Sequence, residues 1–261
     1  MNAAKRRALF GLLSAALLLA AWQLAALAAP PRLLPGPAAV LAALWAEAAT
    51  GALFHHLGVT LARVAAAFTL AMSVGCALGL ALGRSAALDA LFGPWVTLFL
   101  NIPALVVIVL AYVWFGLTEA AAVGAVAVNK IPNVVVTVRE GARAVDESYV
   151  EMARRFRFSF RDRLRHVLIP QLAPYFAAAG RSGLALVWKI VLVVELLGRS
   201  DGVGFQINLL FQTFDVAGIL AYTLAFAAVV QALEHFVLQP WERRAFRWRN
   251  GAGKGGGFAD A

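Results

Sequence analysis

The chain has 261 residues, of which 62% are hydrophobic and only 14% charged, with a formal net charge of +9. A soluble domain carries about 25% charged residues, so the composition excludes an ordinary water-soluble globule. The single cysteine, Cys76, excludes a disulfide framework or a cysteine-based metal site within one chain.

Apolar residues fall in blocks of about twenty, the length of a helix that crosses a hydrocarbon core. The expected fold is all-α: a polytopic membrane protein with six transmembrane helices in a lipid bilayer. The positive charge alone could suit nucleic acid. The basic residues gather at block ends and in loops, however, which fits membrane topology and no nucleic-acid partner.

Residues 1–7 form a basic terminus with Lys5, Arg6 and Arg7. Residues 8–29 are apolar, and two readings compete for them. Ala26-Leu27-Ala28 looks like a signal-peptide cleavage site. The block is longer than the roughly 7–15 residues of a signal core, which supports a retained first transmembrane helix. Residues 30–56 form an outer segment, with Pro30-Pro31 and Leu34-Pro35-Gly36-Pro37 breaking helix and a helical pattern from Ala38 to Ala49. His55 and His56 are expected at a membrane interface, with no metal site.

Residues 57–238 hold five further spans. The second, about Leu57 to Leu82, carries Arg63 near its outer end, where its side chain can snorkel to water. Gly75, Gly79 and Gly83 recur every fourth residue, as a stripe for close helix approach or as glycine merely tolerated in a membrane helix. Arg84 to Asp89 is an inner loop. The third span, Leu91 to Phe115, contains Pro94 and Pro103, so Asn101-Ile102-Pro103 is either a break in a transport path or a simple kink. Gly116 to Glu119 is an outer turn. The fourth span, Ala120 to Val138, carries Asn129, Lys130, Pro132 and Asn133. The fifth, Tyr175 to Leu197, carries Arg181, Lys189 and Glu195. Gly198 to Asp215 is an outer segment, and the sixth span runs from Val216 to Leu238. Residues 239–261 form a basic, glycine-rich tail, with Arg243, Arg244, Arg247, Arg249 and Lys254, whose glycine-rich end is expected to be disordered. Most of the 23 basic residues fall in the proposed inner segments, and the outer ones hold only Arg32 and Arg199. The positive-inside rule then places both termini in the cytoplasm.

The stretch 146–174 is the longest charged run and lies between two spans. It is expected to form two short cytoplasmic helices. Ser148 with Glu151, and Ser159 with Asp162, have the reciprocal spacing of capping boxes. The break falls near Arg157 and Phe158. Leu164, Val167 and Leu168 form an apolar face, and Pro170 and Pro174 are expected to end the second helix.

Glu151-Met152-Ala153, then Arg157 after three residues, then Leu168-Ile169-Pro170, resembles the EAA loop of ABC importer permeases. Met152 stands for the second small residue and Arg157 for the glycine of that pattern. A side chain with a Cβ adopts the glycine conformation less readily, so a tight turn at Arg157 is not expected from the residue alone. His56-Leu57, Leu61 and Arg63, the glycine stripe, Trp114-Phe115-Gly116, Glu195-Leu196-Leu197-Gly198 and Gly202-x-Gly204 appear in the order found in nitrate/sulfonate/taurine-type permeases. The resemblance covers roughly Leu33 to Leu238.

The resemblance implies a permease subunit of an ATP-driven, binding-protein-dependent importer in the bacterial inner (plasma) membrane. Its partners would be a second copy of the permease, cytoplasmic ABC ATPase subunits, and a periplasmic or lipid-anchored solute-binding protein. Glu151, Met152, Ala153, Arg154, Arg155, Arg157, Phe158 and Arg161 would form the ATPase-coupling surface. The solute would be small and anionic, of sulfonate, taurine or nitrate type. No catalytic site is expected. The chain would bind no cofactor, with ATP and Mg held by the partner ATPase. Gly251 to Gly255 lacks the Ser or Thr that a phosphate-binding loop needs after its lysine.

Ionisable groups within a span mark function or pairing. Asn101, Lys130, Lys189 and Glu195 are therefore candidates for the transport path. In a second reading, the lysines pair with Glu195, Glu119 or freed carbonyls and hold the bundle. The alternative function is an ion-coupled secondary transporter, which would need no ATPase; against it, no inverted repeat is evident.

Overall fold

The structure, a computed structural model, describes residues 3–240. The greater part of the tail, with its arginines and glycines, lies outside the described residues. All described secondary structure is helical: α1 Ala3–Ala28, α2 Pro37–Ala49, α3 Ala52–Arg84, α4 Ala86–Asn101, α5 Ala104–Phe115, α6 Glu119–Arg143, α7 Glu147–Arg155, α8 Phe160–Arg163, α9 Ile169–Gly198, α10 Val203–Gln212 and α11 Val216–Leu233. A π turn, Leu164–Leu168, joins α8 to α9, and another, Glu234–Leu238, follows α11. Among the described residues, five helical stretches are long and apolar enough to cross a membrane singly, and the count rises to six if α4 and α5, a bent pair with the geometry of a broken span or a re-entrant loop, are taken as one span.

The bend is 96°. Pro103 disfavours the helical conformation at the preceding residue, and Ile102 is extended with ψ 125°. The Asn101 amide turns back to donate to Thr97 O at 2.7 Å, and α5 starts afresh after Pro103. The segment is thus a true helix break.

The chain divides into two compact units, Met1–Thr60 with Ser200–Val229, and Leu61–Arg199 with Val230–Ala261. In the first unit, the described side chains of α1 are nearly all exposed, as those of an apolar helix facing lipid would be. Trp22 Nε1 donates to Pro35 O at 3.1 Å and ties the turn after α1 back to it. Gly202 has no side chain to cap α10, so residues of α3 supply the acceptors. The N–H of Gly202 donates to His56 Nδ1 at 3.0 Å, and that of Val203 to Thr60 Oγ1 at 2.8 Å. Tyr222 of α11 donates to Glu47 of α2 at 2.7 Å. The outer segment expected between the last two spans therefore contains a helix, α10, with a fixed start.

In the second unit α3, α6 and α9 form the core. The glycine stripe is a contact surface. A Cβ on Gly75 would lie 2.6 Å from Val134 Cβ, one on Gly79 2.8 Å from Val138 Cβ, and one on Gly83 2.5 Å from Ala142 Cβ. The four-residue periods of α3 and α6 run side by side, which only residues without a Cβ permit at this separation. In the first turn of α4, Asp89 accepts from Arg139 at 3.1 Å and also pairs with Arg143 of α6.

Pro170 and Pro174 do not end the second loop helix. Residues Arg161–Gly198 form one continuous apolar helix. Pro170 lies in the first turn of α9, just after the π turn, and Pro174 is buried. A local π adjustment and neighbouring helices accommodate the missing N–H groups.

Candidate coupling surface and buried charge cluster

The loop between α6 and α9 is built on caps. The expected Ser148–Glu151 box does not form, because Asp146 takes the cap two residues earlier. Its carboxylate accepts the Ser148 N–H at 2.9 Å and also the Ser148 hydroxyl, and α7 starts at Glu147. The hydroxyl, then the N–H, hold the Asp146 carboxyl below its ordinary range. The second box is present in modified form. Ser159 Oγ accepts the Asp162 N–H at 3.2 Å and donates to the Asp162 carboxylate at 2.6 Å.

The break between the helices is a tight turn after all. Arg157 sits at φ +52°, in the left-handed region. Its N–H donates to Arg154 O at 3.0 Å, and the Phe158 N–H donates to Ala153 O at 2.9 Å. These two bonds define a Schellman closure, with arginine in the place usually held by glycine. The paired carbonyls and the cap of the next helix hold the strained residue.

One face of α7 is anchored in the bundle. Val150 and Ala153 pack with Val167 and Leu172 against Ala142 and Val145, and Ala153 is fully buried. Ala153 therefore faces inward and positions the loop, while the surface belongs to its neighbours. Tyr149, Met152 and Phe156 follow the i, i+3, i+7 spacing of one helix face and are exposed, Phe156 by 73%. Phe158 is also exposed, as are Glu151, Arg154, Arg155, Arg157 and Arg161. Tyr149 and Phe156 were not among the sequence candidates. Their signal was legible, since large aromatics in a basic, water-facing loop call for a cover.

The second cluster joins the first half of α3, the start of α6 and the end of α9. Arg63 does not snorkel to water. It is buried, donating to Glu119 Oε2 at 2.9 Å and to Glu195 Oε1 at 2.9 Å. Arg199 donates to the same Glu119 at 2.6 Å, and Tyr112 Oη to Val194 O at 2.9 Å. Two arginines and two carboxylates thus tie the three helices. Glu195 and Glu119 are engaged by arginines and not by the lysines.

Lys130 is 1% exposed, and its stem crosses α9 at Gly183, where a Cβ would lie 2.6 Å from Lys130 Cε. Lys189 is exposed on α9. Among the described residues, no ion pair or hydrogen bond links any two of Asn101, Lys130, Lys189 and Glu195. Among the described residues there is also no group of three potential metal ligands.

A multi-span helical bundle with an inserted, aromatic-bearing helical loop is the architecture of a transport permease. Residues 69–237 match the family described as binding-protein-dependent transport system inner membrane component, and the chain belongs to that family. It is 29% identical over 244 residues to the Bacillus subtilis protein named "Putative aliphatic sulfonates transport permease protein SsuC", covering 92% of this chain and 87% of that one. It is 26% identical to the taurine transport system permease protein TauC of Escherichia coli, over 84% of this chain and 81% of that one. The bicarbonate transport system permease protein CmpB of Synechococcus elongatus is 28% identical, over 72% and 69% respectively. Among solved structures, the fold resembles an amino acid ABC transporter with TM-score 0.62 at 21% identity, covering 77% of this chain and 97% of that one. It also resembles the MetNI methionine ABC transporter, with TM-score 0.62 at 18% identity, over 77% and 99%. The chain is thus an ABC permease, which displaces the ion-coupled alternative.

Proposed function

We propose that this permease carries a small oxyanion of the sulfonate, taurine or bicarbonate kind, and that ATP hydrolysis in a separate subunit drives it through the 146–174 loop. The observation that carries the coupling assignment is the aromatic face of α7. Tyr149, Met152 and Phe156, with Phe158 in the turn that follows, lie exposed among arginines, beside a helix face that is locked into the core. Such a helix transmits motion as a rigid knob, because Val150 and Ala153 cannot shift without moving α6 and α9. Glu151, Arg154, Arg155, Arg157 and Arg161 form the charged rim, and Ala153 acts as the anchor.

The working unit is two copies of this chain with two ATPase subunits in the inner membrane, supplied by a periplasmic or lipid-anchored binding protein. Both termini are cytoplasmic, residues 1–7 and 239–261 among them, and residues 57–238 form the transport core. ATP and Mg belong to the ATPase. Within the bundle, the Arg63–Glu195 pair serves as a clamp, and Lys189 is the cation available to a passing anion. The relatives' substrates support the oxyanion class. The test is deletion in the native host: uptake of alkanesulfonate, taurine and bicarbonate is measured separately, and loss of one, restored by the intact gene, identifies the solute. Unchanged uptake of all three overturns the oxyanion assignment. Lys189→Met is expected to lower that uptake while the assembled complex still hydrolyses ATP.

A further inference from the structure

At the loop end of the second unit, two cavities share Arg84 and Arg154 as lining residues. One, of about 180 Å³, is completed by Arg163 with Val150, Val167 and Leu168. The other, of about 470 Å³, is completed by Arg143 and Glu147 beside Gly83 and Ala142. The charge here is unbalanced. Arg143 is engaged by Asp89 and Glu140, and Glu147 pairs with Arg84 at 2.9 Å. Among the described residues, Arg154 and Arg163 have no carboxylate partner. Arg163 Nε is in addition buried with no hydrogen-bond partner. Gathering guanidinium groups without counter-charge is unfavourable, and a buried N–H donor without an acceptor adds to the cost.

We propose that Arg84, Arg154 and Arg163 bind a phosphate-class oxyanion at the edge of the bilayer, supplied by the phosphodiester of an anionic phospholipid. The planar guanidinium fork matches phosphate oxygens in pairs. Arg84 is the last residue of a 33-residue membrane helix, so the pocket lies at headgroup level. Val150, Val167 and Leu168 give it an apolar wall that a free ion does not need. Basic pockets between spans on the cytoplasmic side suit such lipids. Arg154 also belongs to the proposed ATPase rim, whereas Arg84 and Arg163 do not, so variants at those two test this site apart from the coupling surface.

The test uses the full chain in nanodiscs, which expose both faces of the bilayer, so the reading is independent of orientation. Retained lipid is counted by native mass spectrometry in mixed phosphatidylglycerol and phosphatidylcholine, for the wild type, Arg84→Gln, Arg163→Gln and the corresponding lysine variants. Thermal unfolding in pure phosphatidylcholine checks that each variant folds. Selective retention of phosphatidylglycerol, reduced about fivefold per glutamine substitution and largely kept by lysine, supports the lipid source. Displacement by inorganic phosphate that itself stays bound supports the oxyanion site with free phosphate as its source. Equal retention of the two lipids, or equal retention by wild type and glutamine variants without phosphate binding, overturns the proposal.

Discussion

Arg63 of α3 and Glu195 of α9 form an ion pair at 2.9 Å, with 5% and 0% of their side chains exposed. The pair extends through Glu119 to Arg199, so each buried charge has an opposite neighbour. Breaking such a pair from one side leaves a buried charge uncompensated, at about 3–5 kcal/mol. Arg63→Met is therefore expected to destabilise the folded subunit strongly, and the double variant Arg63→Met with Glu195→Leu to recover much of the loss. Glu119 is 54% exposed, so Glu119→Gln is expected to cost about 1 kcal/mol or less. Thermal unfolding followed by fluorescence-detected size exclusion measures the ranking. Equal losses for Arg63→Met and Glu119→Gln would show that the pair is not the clamp.

The left-handed arginine at the end of α7 supplies a gain-of-stability test. A residue with a Cβ in that conformation costs about 1–2 kcal/mol relative to glycine. Arg157→Gly is expected to stabilise the loop by about that amount, and Arg157→Val to destabilise it further than the wild type. Protease protection of the 146–174 segment reports both changes. A loop that becomes more labile with glycine would refute the Schellman closure.

The α3–α6 contact makes a steric claim that two glycines of one helix can test. A side chain on Gly79 would meet Val138 and the Val135 carbonyl, whereas nothing lies within 4 Å of a Cβ on Gly58. Gly79→Leu is expected to cost about 1–3 kcal/mol by overpacking. Gly58→Ala is expected to be neutral or slightly stabilising. Thermal stability in one detergent decides between this and a stripe that is merely tolerated.

The Asp146 cap makes the start of α7 sensitive to acid. Because the folded carboxyl titrates below its unfolded value, the cap contributes fully above the ordinary aspartate range, near about 4. That contribution is lost as pH falls through the lower folded value. Asp146→Asn should keep the cap and remove this acid dependence, while Asp146→Ala should lose protection of the Ser148 amide at every pH. Amide exchange at Ser148 is the readout.

The all-helical membrane fold and the helical character of the loop were legible because twenty-residue apolar blocks are a property of composition, whereas the fifth helix begins at Arg161, well before the expected Tyr175. The glycine stripe was legible because its period matches the helix. Other features depend on partners far apart in the chain. The place of Arg63 depends on Glu119 and Glu195, which lie 56 and 132 residues away. The start of α10 depends on His56 and Thr60, more than a hundred residues earlier. The cap at Asp146 was missed because two plausible caps lie two residues apart, and only the backbone geometry chooses between them. The break at Pro103 was visible, but its angle was not, since proline removes a bond without specifying the bend.

The most direct test of the central claim is affinity purification of the full chain from its native membrane in mild detergent, with stoichiometric partners identified. The expected result is an ABC ATPase subunit in roughly equal amount. Its retention should fall in Phe156→Ala with Met152→Ala, variants that alter the exposed face of α7 and leave its buried anchor intact. A folded oligomer that repeatedly purifies without an ATPase, or an ATPase retained equally by the double variant, would contradict the assignment of coupling to α7.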